Sequence, residues 1–352
     1  MKAGAHTWQE ILSQPQTWRA TLDAFAAVRP ALEDFLDRAG LHQIAVVGCG
    51  STHYLAQAAA AILTHRAGTP AHAFPSSEVW LYPGVLLAGR TLLLTVSRSG
   101  TTTETLRALE RFRAAGGGPA LAVSCYPDSP LVQRADLALV TPSAQERSVA
   151  QTRSFTSMLL LTQAMTAVLA GDEGMLAGLR RLPSALEDLV ARLGDLPRRL
   201  GEDEGIERFY FLGGGPLYGL ANEAMLKTKE MSLSHSEAYH PLEFRHGPMS
   251  MVNEHTLVVG LLSDSGLAEE LGLLEEMQGL GARVLVLIED ASALSGWRAD
   301  HVVELGSGLD EWQRGPLYLP VLQRLAYHRA LAKGLDPDRP NNLEAVVFLG
   351  SG

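Results

Sequence analysis

The chain has 352 residues, 46% of them hydrophobic and 19% charged, so it can bury one large core or two ordinary ones and is not a disordered polymer. The formal net charge is −10 and no basic tract appears, which argues against nucleic-acid and anionic-membrane partners. No window approaches the roughly 18 apolar residues of a membrane span, and the opening MKAGAHTWQEIL lacks the apolar core of a signal peptide, so the expected compartment is cytoplasmic. The two cysteines, Cys49 and Cys125, lie in apolar strand-like surroundings and read as small buried hydrophobes, not as a disulfide or a metal pair.

Residues 6–39 read as helical, with apolar residues three or four apart and Pro15 marking an early break. From residue 44 strands and helices alternate. IAVVGCG (44–50) is an apolar strand entering a glycine turn, and STHYLAQAAAAILTHRAG (51–68) is a helix. TLLLTVSRSG (91–100) is a buried strand with its turn, and TTTETLRALERFRAAG (101–116) is a helix. ALAVSCYP (120–127) and LALVTP (137–142) are further strands. Such alternation implies a mainly parallel sheet covered by helices. The stretch 175–204, rich in Leu and Arg, reads as a helical connection.

The same order then returns. FYFLGGG (209–215) matches IAVVGCG with Gly213 and Gly48 165 positions apart, and Ser263 of LVVGLLSDSG lies 166 positions after Ser97. The pair Ala299-Asp300 before HVVEL follows Ala135-Asp136 before LALV by 164 positions. Near-equal offsets predict two similar doubly wound α/β domains at 40–180 and 200–330, with a helical segment at 1–39 and a tail at 331–352.

Two strand-to-helix turns invite an anion. Gly48-Cys49-Gly50-Ser51-Thr52 permits close backbone approach and presents the amides of a helix N-terminus. It lacks the third glycine of a dinucleotide fingerprint, and no lysine followed by Ser or Thr marks a nucleoside triphosphate site. Ser97-Arg98-Ser99-Gly100-Thr101-Thr102-Thr103 offers five hydroxyls and an arginine, more than a helix cap needs. A phosphate monoester uses that many donors. The corresponding turn of the second half, Ser263-Asp264-Ser265-Gly266, carries an aspartate that would repel one. This predicts a division of labour, with the phosphate held by the first half.

The second half has its own concentration of chemistry in ANEAMLKTKEMSLSHSEAYHPLEFRHGP (221–248). Its first part is rich in strong helix formers. Glu223, Lys227 and Glu230 fall at i, i+4 and i+7 and so share one helix face. Such a set is a solvated stripe on an arbitrary helix. Here it is followed by His235, Glu237, Tyr239, His240, Glu243, Arg245 and His246, a density of titratable groups that points to a site. His240, Glu243 and His246 are three apart, but Pro241 and Gly247-Pro248 break helical spacing and no closed ligand set completes them, so no metal is expected.

Together these features resemble the sugar isomerase (SIS) superfamily, in particular the isomerase portion of glucosamine-6-phosphate synthase and stand-alone SIS-type aminosugar-phosphate deaminases. The resemblance is carried by SRSGTTTET, EAMLKTKEMSLSHSEAY, EFRHGP, the tail LAYHRALAKGLDPDRPNNL and the opening QEILSQPQTWRATL. It implies that Ser51, Thr52, Ser97, Ser99 and Thr102 bind the sugar phosphate. Arg98 stands where the synthase has glutamine and would add a charge-assisted bond. It further implies Glu230 as the base moving a proton between C1 and C2, Lys227 as the stabiliser of the enolate oxygen, and Glu223 beside them in the substrate-binding set. His246 would open the sugar ring from the partner subunit of a homodimer, and Val149 would lie against the sugar.

Two departures bear on the reaction. The synthase carries a Schiff-base lysine two residues after its Asn-Leu pair, whereas Asn342-Leu343 is followed here by Glu344-Ala345. No glutaminase segment or cysteine at position 2 opens the sequence. The expected activity is therefore a cofactor-free aminosugar-phosphate deaminase/isomerase, converting glucosamine 6-phosphate to fructose 6-phosphate and ammonia, with glutamine-dependent synthesis disfavoured. The alternatives are a fructosamine-phosphate deglycase, a plain aldose–ketose phosphate isomerase, or a non-catalytic sugar-phosphate sensor.

Overall fold

The structure, a computed structural model, describes residues 3–82, 84 and 90–346. The last residues of the expected tail, 347–352, lie outside the described residues. The N-terminal helical stretch divides at Ser13 into α1 (Ala5–Leu12) and α2 (Gln14–Ala39). This division matters, because the two helices belong to different compact units.

One unit comprises Ser13–Arg147, Gln151–Pro183 and the chain from Glu344. Its sheet has five parallel strands: β1 (Gln43–Gly48), β2 (Ala71–Pro75), β3 (Thr91–Val96), β4 (Ala120–Ser124) and β5 (Leu137–Val140), in the order β2-β1-β3-β4-β5. Ile44 pairs with Ala71 on one side and Leu92 on the other. Strands β3 and β4 are buried along their whole length, which is why their sequences read as unbroken apolar runs. On one side of the sheet α5 (Thr103–Ala114) sets Leu109 and Phe112 against Val47, Leu93 and Ala122. Helices α3 (Ser51–Ala67) and α2 pack on α7 (Arg153–Ala170), which is buried along nearly all of its length. Short helices α4 (Ser76–Leu81), α6 (Pro130–Arg134) and α8 (Glu173–Leu179) complete the unit.

The other unit comprises the chain up to Leu12, Ser148–Ala150 and Ser184–Leu343. Strands β6 (Arg208–Gly213), β7 (His235–Tyr239), β8 (Thr256–Leu261), β9 (Arg283–Ile288) and β10 (His301–Glu304) repeat the same arrangement as β7-β6-β8-β9-β10, again all parallel. Its helices are α9 (Leu182–Leu193), α10 (Leu196–Glu202), α11 (Pro216–Ser232), α12 (Pro241–Phe244), α13 (Leu267–Gly279) and α14 (Tyr318–Ala332). The helical reading of 175–204 corresponds to α8 through α10. The two sheets share a backbone signature. Gly50 before α3 adopts φ 55°, ψ −125°, and Gly215 before α11 adopts φ 53°, ψ −127°. Both are left-handed conformations that a side chain resists.

The compact units also take in residues from both ends of the described chain. Gly4 N donates to Asp336 at 2.8 Å and Thr7 N to Asp338 at 2.7 Å, so α1 is tied to the segment after α14. Buried Glu10 accepts from Ser148, which brings residues 148–150 with it. In the other unit Arg98 donates to the Ala345 carbonyl at 2.8 Å, and this captures the start of the tail. Among the described residues no helix is long and apolar enough to cross a membrane.

Candidate active site

In an open parallel sheet, ligands bind beyond the carboxyl ends of the strands, where the strand order reverses. In the first sheet that point lies between β1 and β3, and the two candidate anion loops follow these two strands. Ser97 Oγ accepts from Gly100 N at 3.1 Å and lies 3.3 Å from Thr102 Oγ1, while Ser99 Oγ accepts from Thr101 N and Oγ1 at 3.2 and 2.9 Å. Gly100 has φ +63°, and a Cβ there would meet Ser129 Oγ at 2.0 Å, so only glycine fits the turn. The loop holds two hydrogen-bonded pairs of hydroxyls at the start of α5.

Thr52 and Arg98 have commitments of their own. Thr52 Oγ1 accepts from Cys49 N at 2.8 Å and donates to Cys49 O at 2.9 Å, so this hydroxyl shapes its turn. Ser51 and Thr52 are both buried at the start of α3. Arg98, also buried, lies 3.3 Å from Glu146 and binds the Ala345 carbonyl. Ala345, two residues after Asn342-Leu343, therefore touches the hydroxyl loop through its carbonyl. Glu146 was not singled out in the sequence. It also accepts from Thr152 N and Oγ1 at 2.7 and 2.8 Å and from Ser154, and so fixes the turn before α7. Val149, in the other unit, is half-buried and its amide donates to Asp338 O at 3.3 Å.

In that other unit α11 brings three predicted residues together. Lys227 Nζ lies 2.5 Å from Glu230 Oε2 and 3.4 Å from Glu223 Oε1. Side-chain exposure is 1% for Lys227, 0% for Glu223 and 19% for Glu230, so only Glu230 reaches the surface. Burial alone would lower the Lys227 pKa. The Glu223 and Glu230 carboxylates outweigh it and hold the ammonium above its ordinary value. The set is a carboxylate at the surface, backed by a buried cation that is backed by a second carboxylate.

The histidines do not gather. Residues 235–239 form the edge strand β7 on β6. Period-two alternation places His235, Glu237 and Tyr239 on one face, with His235 3.4 Å from Glu237 and Tyr239 OH donating to it at 2.5 Å. Burial, then the Glu237 carboxylate, pushes the Tyr239 phenol up to about 12. His240 stacks on Tyr218 with ring centroids 3.8 Å apart. His246 is exposed in the turn after α12, beside Gly247 at φ +131°. Among the described residues no group of His, Cys, Asp or Glu side chains is placed to hold a metal.

The loop after β8 differs from its counterpart after β3. The Glu311 carboxylate accepts from Asp264 N at 2.8 Å, from Ser265 N at 3.1 Å and from Ser265 Oγ. Glu270 accepts from Ser263 N and Oγ at 2.8 and 3.0 Å, and Asp264 forms a two-pronged pair with Arg314 at 2.7 and 2.6 Å. The donors an anion would use are occupied by the chain's own carboxylates. Burial raises the Glu270 pKa to about 6.

Comparison with known families matches residues 39–168 and 205–328 to the SIS domain. A Pseudomonas putida protein named glutamine–fructose-6-phosphate aminotransferase [isomerizing] is 32% identical over 358 residues, covering 96% of this chain and 58% of the relative. The chain thus spans little more than half the length of that relative. Among solved structures, the tagatose-6-phosphate ketose/aldose isomerase of Escherichia coli superimposes with a TM-score of 0.88 at 26% identity, covering 97% of this chain and 96% of that one. Glucosamine-6-phosphate deaminase of Thermotoga maritima gives 0.75 at 28% identity, covering 94% and 100%.

Proposed function

The chain belongs to the SIS domain family of sugar-phosphate isomerases, and from that premise we propose that it is an aminosugar-phosphate deaminase/isomerase, with glucosamine 6-phosphate as its substrate. The observation that carries this reading is the Glu223–Lys227–Glu230 set on α11. Glu230, held in place by Lys227, removes the C2 proton of the open-chain aminoaldose. The Lys227 ammonium offsets negative charge developing toward O1. Reprotonation at C1 gives the ketose imine, and water hydrolyses it to ketose phosphate and ammonia. The hydroxyls of Ser97, Ser99 and Thr102, together with Ser51, Thr52 and Arg98, hold the phosphate. Val149 lies against the sugar.

Two readings compete. The Pseudomonas putida relative is named for glutamine-dependent amino transfer, and the Escherichia coli structure for ketose/aldose interconversion. Ala345 in place of a tail lysine favours a route without a ketose Schiff base. The test supplies glucosamine 6-phosphate, fructose 6-phosphate with and without glutamine, and tagatose 6-phosphate, and measures ammonia, glutamate and the sugars. Equal amounts of ammonia and ketose phosphate are expected from the aminosugar. Glutamate formed with the aminosugar from fructose 6-phosphate would replace this reading with synthesis. Interconversion without nitrogen loss would replace it with plain isomerisation, and binding without turnover with a sensor.

The active unit is proposed to be a homodimer in which His246, exposed on its turn, opens the sugar ring in the partner's site. Glu230→Gln and His246→Ala chains, each inactive alone, are mixed under subunit exchange. A mixed dimer then holds one intact site and one doubly damaged site, and recovers up to about half the wild-type activity per dimer formed. Exchange confirmed by mass with no returning activity would place His246 within its own chain's site or outside the reaction.

A further inference from the structure

A pocket of about 260 Å³ opens beyond β1 and β2, between Gly48, Cys49, His53, Ser76, Ser77 and Glu104. Its wall includes the first candidate anion loop, and Glu104 joins it from the helix that follows the second. Gly50 caps the helix that carries Ser51 and Thr52, and Glu104 follows Thr102 by two residues in the first turn of α5. The space is far larger than one water needs and smaller than a site for a drug-sized ligand. It suits a short polar chain.

Glu104 sets the chemistry of the pocket. A carboxylate beside a phosphate loop weakens anion binding, and Glu104 Oε2 is buried with no protein hydrogen-bond partner. Such an oxygen is costly unless something donates to it. Nearby, His53 Nδ1 is likewise buried without a partner at hydrogen-bonding geometry, and burial keeps its ring toward the neutral form. Ser76 Oγ lies 3.1 Å from Thr105 Oγ1, which fixes the pocket wall to α5. A carboxylate only accepts, whereas a neutral imidazole and serine hydroxyls both donate and accept. An ammonium could donate to the carboxylate and to these groups as acceptors, but it could not also accept from them. A hydroxyl group does both.

We propose that this pocket receives hydroxyl groups of a sugar phosphate and that Glu104 is the residue that selects among sugars by accepting one of them. The proposal rests on the reading that the Ser97–Thr103 loop holds the phosphate. Calorimetry compares inorganic phosphate, sorbitol 6-phosphate and two hexose 6-phosphates differing at a single hydroxyl, for the wild type, Glu104→Gln and Glu104→Asp. Glu104→Gln is expected to bind inorganic phosphate at least as tightly as the wild type, to lose roughly 10–100-fold in affinity for the sugar phosphates, and to narrow the preference between the epimers. Glu104→Asp, which keeps the charge on a shorter arm, is expected to fall between. If folded Glu104→Gln and Glu104→Asp proteins bind inorganic phosphate and leave sugar-phosphate affinity and epimer preference unchanged, the proposal is overturned and the loop reading stands. If sorbitol 6-phosphate binding depends on Glu104 but inorganic phosphate does not bind at all, the loop reading falls and the pocket stands. A wild type that binds none of these ligands overturns both.

Discussion

Glu230→Gln is expected to abolish exchange of the substrate's C2 proton with solvent, lowering the rate by roughly 10²–10⁴-fold while sugar-phosphate affinity stays within a few-fold. The expectation follows from the layering on α11. Of the three charged side chains only Glu230 is at the surface, and its Oε2 lies 2.5 Å from Lys227 Nζ. An amide at this position keeps the shape and can still accept a hydrogen bond from Lys227, but it cannot take a proton. Loss of activity without loss of binding is therefore the signature of a missing base, and not of a collapsed site. Deuterium wash-in at C2 followed by NMR, with calorimetry on the same preparation, separates the two. Exchange at the wild-type rate in the variant would remove Glu230 from the mechanism.

The parts of the fold that could be read in the sequence are those where burial is two-sided. Strands β3 and β8 are buried at every position, so Thr91–Val96 and Thr256–Leu261 have no polar alternation to confuse and end at legible glycine turns. The edge strands β2 (AHAFP) and β7 (HSEAY) each pair with one neighbour only. Of the five β7 residues only Ser236 is buried, so no apolar signal marks the strand. The spacing of His235, Glu237 and Tyr239 was its one cue, and the eye takes three titratable side chains for a site before it takes them for one face of a strand. Separation along the chain hid the rest. Glu10 with Ser148, Thr7 with Asp338, and Arg98 with Glu146 and Ala345 are pairings between distant residues, and no local pattern announces them. The α11 triad was legible because its geometry is set entirely by helical periodicity. The aspartate in the second loop was legible as a mismatch for phosphate, but the carboxylate of Glu311 that occupies that loop, 46–47 residues further on, was not.

Lys227→Met is expected to lower stability by about 3–5 kcal/mol, because it leaves the Glu223 carboxylate buried without its counter-charge. Glu223 is fully buried and Lys227 is the cation beside it at 3.4 Å. Against a typical margin of about 5–15 kcal/mol that is a large fraction, and at about 2–4 °C per kcal/mol for a unit of this size the melting temperature should fall by roughly 6–20 °C. The sign with pH follows from the ammonium. Its pKa is raised in the folded state, so the contribution is fully present below the ordinary value of 10.5 and is lost only as pH rises through the raised folded value. The wild type therefore keeps this term throughout the neutral range, and alkaline unfolding should remove it. A double variant distinguishes charge from packing. Lys227→Met combined with Glu223→Gln removes both buried charges at nearly constant volume and should recover most of the lost stability, since a matched apolar or neutral replacement of a buried ion pair is often close to neutral. Activity should not return with it, because Glu230 still lacks the cation that holds it in position. Thermal and urea melts of the two single variants and the double variant, at pH 7, give the comparison. If Lys227→Met melts within about 2 °C of the wild type, the buried cation is not what balances Glu223, and the layered charge arrangement on α11 is not the organising feature of the site.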